Sequence, residues 1–282
     1  MPRLSFTHKP SEMHLESPSG AGHLFIIGGG PRPSEMMERF IELAGGRESK
    51  IVIIPVASTT PLETGMRHKL ELELSGCSDV SVIDCLRREE ADRPENLSML
   101  KDAKAVFFSG GDQNKLVAFL KDTRLLAKVK KVYTAGGLIG GTSAGAAIMS
   151  KVMICGDGLN DSDISPYLFN PIVREHVKLS EGFGFLENAI IDQHFNTRSR
   201  KNRLINAVLE HPYLSGIGID ESTAVIVNSG GSFEVTGENN VFVFNVLPDD
   251  ESSQMDSSSN IDIKILKSGD KYTFPVIHPE NQ

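Results

Sequence analysis

Residues 137–150 read GLIGGTSAGAAIMS: an apolar start, one serine set among glycines, then a run of small helix-compatible residues. The order is strand, sharp turn, helix, with Ser143 on the turn. Within it, GTSAG (141–145) matches G-x-S-x-G. That pattern serves a serine held on a strained strand-to-helix turn, where glycines on either side avoid a clash. The next amide, that of Ala144, opens the helix and is free to meet an oxyanion. The same composition also suits a plain strand-to-helix junction. The residues elsewhere in the chain decide between the two.

Working outward, similar units recur. HLFIIGGG, KIVIIPVAS, VSVIDCL and KAVFFSGGD are short apolar runs bounded by Gly or Asp. Between them lie helical stretches, PLETGMRHKLELELSG, PENLSMLKDA and QNKLVAFLKDTRLLAKVKKV. Buried strands alternating with helix-length segments predict an α/β fold, a doubly wound and mostly parallel sheet with helices on both faces. AIID, a helix at 198–210 and SGIGID continue the pattern. Residues 223–246, TAVIVNSGGSFEVTGENNVFVFNV, alternate and carry turn signals, so they read as an antiparallel edge of the same sheet. The expected organisation is a flexible extension at 1–21 and a single α/β domain at 22–282, with an acidic, Ser-rich loop at 248–260. The stretch from Met153 to Phe185 fits no sheet unit and reads as an insertion bordering a site.

Composition narrows the function. A net charge of −8 and the lack of a basic face argue against duplex nucleic acid and suit a cationic substrate. Cys77, Cys85 and Cys155 form no CxxC pair, so neither a disulfide framework nor a zinc site is expected, and a reducing compartment is. With a polar N-terminal stretch and no apolar run of membrane-spanning length, the expected location is cytoplasmic, without membrane association. Gly28, Gly29 and Gly30 do not complete a dinucleotide fingerprint, because Pro33 stands where G-x-G-x-x-G needs glycine. They read as a tight turn or as a loop lining the crevice at the strand ends. No G-K-[ST] follows any glycine loop, which excludes a P-loop.

A nucleophilic serine needs a base, and the base an orienting acid. His8, His14 and His278 lie in the tails, His68 is mid-helix, His211 precedes Pro212, and His176 sits in the insertion. His194, in AIIDQHFNTR, follows an apolar run directly and is the best placed. Asp192, Asp220 and Glu221 are the acids within reach of strand ends. FFSGGDQ ends another strand, and the turn at Gly111 offers amides to an oxyanion. RSRKNRL supplies Arg198, Arg200 and Arg203. At about 100° per residue, Arg203 points away from the stripe of Leu204, Ile205, Val208 and Leu209, the signature of a solvated basic face. The same arginines could hold a substrate carboxylate.

Together FFSGGDQ, GGTSAGAA, DQHFNTRSRKNRL and GIGIDESTA resemble the cyanophycinases of the S51 serine peptidase family, which also includes aspartyl dipeptidases. The likeness spans about residues 22–246. It implies a flavodoxin-like or class I glutamine-amidotransferase-like fold, a homodimer, and neither cofactor nor metal. It also implies a substrate: cyanophycin, a poly-aspartate carrying arginine on its side chains, cut to β-aspartyl-arginine dipeptides, or alternatively short β-aspartyl peptides. By position, the resemblance makes Ser143 the nucleophile, His194 the base and Glu221 the orienting acid. Gln113, Asp192, Gln193, Arg198, Arg200 and Arg203 would bind substrate. Asn202 departs from the glycine common in that family.

Overall fold

The computed structural model describes residues 22–156, 172, 177–247 and 260–275. The extension at 1–21, His176 and residues 248–259 of the Ser-rich stretch lie outside the described residues. Five apolar runs form the parallel strands β1 (His23–Ile27), β2 (Ile51–Ile54), β3 (Val80–Val82), β4 (Ala105–Phe108) and β5 (Leu138–Thr142). Their order in space is β3-β2-β4-β5-β1. Helices α1 (Ser34–Leu43) and α2 (Pro61–Leu74) cover one face. The other carries α3 (Pro94–Met99), α4 (Gln113–Leu120), α5 (Arg124–Thr134) and α6 (Ala144–Ala147).

Strand alternation explains the two layers. Phe25 and Ile27 point toward α1, where Phe25, Phe40 and Phe107 meet edge to face at 5.5 and 5.6 Å. Leu24 and Ile26 point into the opposite core with Val52, Val106 and Phe108. The helical stretch after FFSGGD, read in the sequence as continuous, is two helices. Asp122 takes φ 62° between α4 and α5, and the Thr123 hydroxyl caps α5 by accepting from the Leu126 amide at 3.2 Å.

The C-terminal half departs from the single sheet expected. After β6 (Val152–Ile154) and β7 (Leu179–Glu181), which pair antiparallel at the roots of the insertion, come β8 (Ala189–Gln193), α7 (Lys201–Glu210) and β9 (Ser215–Ile219). The chain then forms β10 (Thr223–Val227), β11 (Ser232–Gly237), β12 (Val241–Val246), β13 (Ile261–Leu266) and β14 (Lys271–Thr273). Only β10, β11 and β14 extend the main sheet, antiparallel beyond β1, to make eight strands. β8, β9, β12 and β13 build a second sheet in the order β13-β12-β9-β8.

Two-sided burial causes the split. Val241 and Val243 of β12 join the main core, while Phe244 on its other side packs against Phe195 at 5.8 Å, near Leu204 and Val208 of α7. A strand buried on both faces cannot serve as a half-solvated edge. α7 begins at Lys201, three residues later than its sequence suggested.

Candidate active site

The serine comes from the main sheet. Ser143 follows β5 with φ 53° and ψ −110°, a conformation that costs a non-glycine residue on the order of 1–3 kcal/mol and needs support from its surroundings. Its amide donates to the Ile27 carbonyl at 3.1 Å. A Cβ at Gly141 would overlap the Gly145 carbonyl, and one at Gly145 would overlap that of Phe108. The glycines of G-x-S-x-G are thus required by close approach of backbone on both sides of the serine.

The histidine and the acid come from the second sheet. β8 and β9 run parallel with Gln193 beside Ile219, so the residues just past their ends, His194 and Glu221, emerge together. His194 Nε2 lies 2.9 Å from Ser143 Oγ, and its Nδ1 lies 2.6 Å from Glu221 Oε1. A carboxylate on Nδ1 keeps the proton there and leaves the Nε2 lone pair for the serine hydroxyl. Asp220 points elsewhere, accepting from the Asn196 amide at 2.6 Å, and Asp192 is engaged with Arg203. Of the three acids open in the sequence, Glu221 is the one at the imidazole. Burial lowers the His194 pKa below its usual 6.5; the Glu221 hydrogen bond opposes this, and the nearby Arg198 and Arg200 charges add to the lowering.

The Gly28–Gly30 loop joins the two sheets at this point. The His194 amide donates to the Gly28 carbonyl at 2.7 Å, and the Ser222 amide to that of Gly29 at 2.9 Å. Gly29, at φ 110°, leaves no room for a Cβ beside the His194 ring, and a Cβ on Gly30 would lie 2.7 Å from that of Glu221. The two readings of this triplet, tight turn and crevice lining, describe one loop. Its contact with the imidazole was invisible in the sequence. Asn239, legible only as part of a turn, donates from Nδ2 to the Glu221 carbonyl at 2.9 Å.

The remaining sequence-predicted residues surround this centre in different ways. Ala144 is buried behind the elbow and Gly111 is exposed beside it; among the described residues neither amide donates to a backbone acceptor. Gln113 opens α4 and donates from Nε2 to the Ile154 carbonyl at 3.1 Å. Gln193 Oε1 sits 3.4 Å from Ser143 Oγ and accepts from Arg200 Nη1 at 2.8 Å. Arg203 forms a two-point ion pair with Asp192, one bond at 2.7 Å. Of the two readings open for these arginines, the solvated basic face does not fit Arg200 and Arg203. Arg200 and Arg203 are 8% and 6% exposed, because α7 lies against β8 and its polar side meets Asp192 and Gln193; Arg198 alone is exposed. His68 is buried against the sheet, where Arg32 donates to it at 3.0 Å, and His211 pairs with Tyr213.

The family model for Peptidase family S51 matches residues 24–235. The chain belongs to this family. It is 32% identical to a cyanophycinase of Synechococcus elongatus over 97% of this chain and 88% of that protein. A cyanophycinase of Geminocystis herdmanii is 34% identical over 78% and 79% of the two chains. Among solved structures, a peptidase from an acI-B1 actinobacterium superposes with a TM-score of 0.67 at 26% identity, covering 90% of this chain and 97% of that one. As an S51 member the chain is a serine-type peptidase. Its hydrogen-bonded serine, imidazole and carboxylate have the arrangement that acyl transfer requires.

Proposed function

We propose that this S51 chain hydrolyses cyanophycin, releasing β-aspartyl-arginine dipeptides. The observation that carries the reading is the relay of 2.9 and 2.6 Å from a positive-φ serine through His194 to Glu221. Similarity to cyanophycinases over nearly the whole chain gives the substrate class. In this reading Ser143 Oγ attacks the scissile carbonyl while His194 Nε2 takes its proton. The amides of Ala144 and Gly111 receive the oxyanion. His194 then returns the proton to the leaving amine, which departs from an acyl-enzyme. Water activated by the same imidazole releases the product. Glu221 holds the ring and balances the imidazolium.

Arg198, exposed beside the site, is the arginine best placed to hold an aspartate carboxylate. Arg200 and Arg203 act mainly by positioning Gln193, which reaches Ser143, and the buried Asp192 beside it. Gln113, at the start of α4, is the further substrate contact that the resemblance implies. The strand order supports a flavodoxin-like assignment: β3-β2-β4-β5-β1 becomes 2-1-3-4-5 when β1 is counted as the fifth strand. A homodimer is the assembly implied by resemblance to the family. A reducing, cytoplasmic setting suits three buried free thiols.

The test is to incubate the purified chain with cyanophycin and, separately, with short isoaspartyl peptides, and to identify the products by mass spectrometry. Release of β-aspartyl-arginine from the polymer supports the proposal. Turnover of the short peptides alone would replace it with an isoaspartyl dipeptidase activity on the same site.

A further inference from the structure

Two residues beyond the glycine loop that touches His194 and Glu221, the Arg32 side chain reaches across to α2. Its Nε donates to Glu71 Oε1 at 2.9 Å, and its Nη2 donates both to Glu71 Oε2 and, at 3.0 Å, to His68 Nδ1. Phe107 backs the cluster: the guanidinium carbon lies 5.9 Å from the centre of its ring, and the His68 ring meets it edge to face at 5.3 Å. The Arg32 side chain is only 13% exposed, so its donors are satisfied inside the fold and closed to substrate. Burial would raise the Glu71 carboxyl, but its two basic neighbours, His68 and Arg32, hold it down at about 2. Burial lowers the His68 pKa below its usual 6.5, with Glu71 opposing and the Arg32 charge adding, so at neutral pH the ring is neutral and Nδ1 accepts from Arg32.

The stretch from Gly30 to Pro33 joins the glycine loop to α1. Pro31 and Pro33 have no N–H, and among the described residues no backbone group of residues 30–32 makes a backbone hydrogen bond. The Arg32 side chain is the hydrogen-bonded anchor of this stretch. Pro31 fixes its own φ and restricts Gly30 before it, so a displacement of Arg32 carries through to Gly30. Gly30 packs along Glu221: a Cβ there would lie 2.7 Å from Glu221 Cβ and 3.0 Å from its Oε2. We infer that Arg32 is a positioning residue for the reaction, anchored on Glu71 and His68 so that Gly30 keeps the Glu221 carboxylate on His194. The inference rests on the triad reading of Ser143, His194 and Glu221 and not on which aspartyl substrate is cut.

Three roles for Arg32 differ in their consequences. A substrate contact would move KM, and a purely structural pair would move stability alone. A residue acting through Glu221 lowers kcat, and only while position 221 carries a carboxylate. The direction of the pH response also separates them. The Glu221 hydrogen bond raises the His194 pKa against the effect of burial. Loosening that bond moves the acid limb of kcat/KM to lower pH, whereas removing a cation near the imidazole would by itself move the limb to higher pH.

The test is steady-state kinetics on cyanophycin and on short isoaspartyl peptides for the wild type, Arg32→Met, Glu71→Gln and the control Arg47→Met. Arg32→Met keeps an apolar stem beside Phe107 and removes the anchor. Arg47 also joins α1 to the end of α2, through Glu38 and the Ser75 carbonyl, without touching the loop. Arg32→Met should lower kcat by roughly 10–100-fold with KM within about twofold, and move the acid limb to lower pH. In the Glu221→Gln background the same change should cost less than about threefold. Glu71→Gln, which carries the test if Arg32→Met fails to fold, should lower kcat about three- to tenfold, and Arg47→Met should stay within about twofold of wild type. A kcat within about twofold of wild type for Arg32→Met and Glu71→Gln, or a loss that persists in full beside Glu221→Gln, would overturn the inference. The low-field proton resonance of His194 Nδ1 needs no substrate and keeps the inference separate from the proposed reaction. Should the wild type cut neither substrate, a resonance weakened in Arg32→Met relative to Arg47→Met still supports the anchor, and an unchanged one overturns it.

Discussion

At the scale of single residues, the relay depends on which acid meets His194. Asp220 and Glu221 are neighbours at a strand end, and consecutive side chains there point to opposite sides. Sequence spacing cannot say which of them faces the imidazole, whereas the fold sends Asp220 to the Asn196 amide and Glu221 to Nδ1. Glu221→Gln should lower kcat by about 10³–10⁴-fold, because an amide no longer enforces the tautomer that leaves Nε2 free. Asp220→Asn, which keeps an acceptor for Asn196, should cost far less. Steady-state kinetics on cyanophycin distinguishes the two. The pH profile follows from the neutral imidazole. His194 must be unprotonated to accept the serine proton, and burial holds its pKa below 6.5. Activity should therefore be retained through neutral pH and fall as pH drops below that value. Arg198 adds to the lowering, so Arg198→Ala should move the acid limb of kcat/KM toward higher pH while also weakening substrate binding.

At the scale of elements, the elbow was readable because strand, turn and helix each left a mark in fourteen residues. The loop at Gly28–Gly30 was readable only as a turn, because a glycine that makes room for a side chain distant in sequence looks like any other. Gly29→Ala tests its contact. The added methyl meets the His194 ring and sits at φ 110°, so kcat should fall by roughly 100-fold from misplaced imidazole. Thermal unfolding should show only the modest loss expected of local strain, on the order of 1–3 kcal/mol. The arginines of RSRKNRL stay open to two readings in the sequence for a different reason. Helical periodicity separates apolar from polar positions, but it cannot reveal that the polar side of α7 is covered by another strand carrying a matching carboxylate.

At the scale of the whole molecule, the parallel core followed from its apolar runs, while the second sheet did not. β8 and β9 are buried along their whole length, as β2 and β4 are, and the pairing of β9 with β12 takes them out of the main sheet. The active site lies where the two sheets meet, and the buried Asp192–Arg203 pair fastens α7 to β8 next to that junction. Arg203→Leu should cost about 3–5 kcal/mol in urea denaturation by stranding the Asp192 charge, and Asp192→Leu added to it should recover part of the loss. The proposed nucleophile of cyanophycin hydrolysis, Ser143, sits at this junction. The most direct measurement is cyanophycin hydrolysis by wild type and Ser143→Ala, with products identified by mass spectrometry. The expected outcome is β-aspartyl-arginine from the wild type and a rate lower by about 10⁴–10⁶-fold from the variant. Comparable product release by both proteins would contradict it.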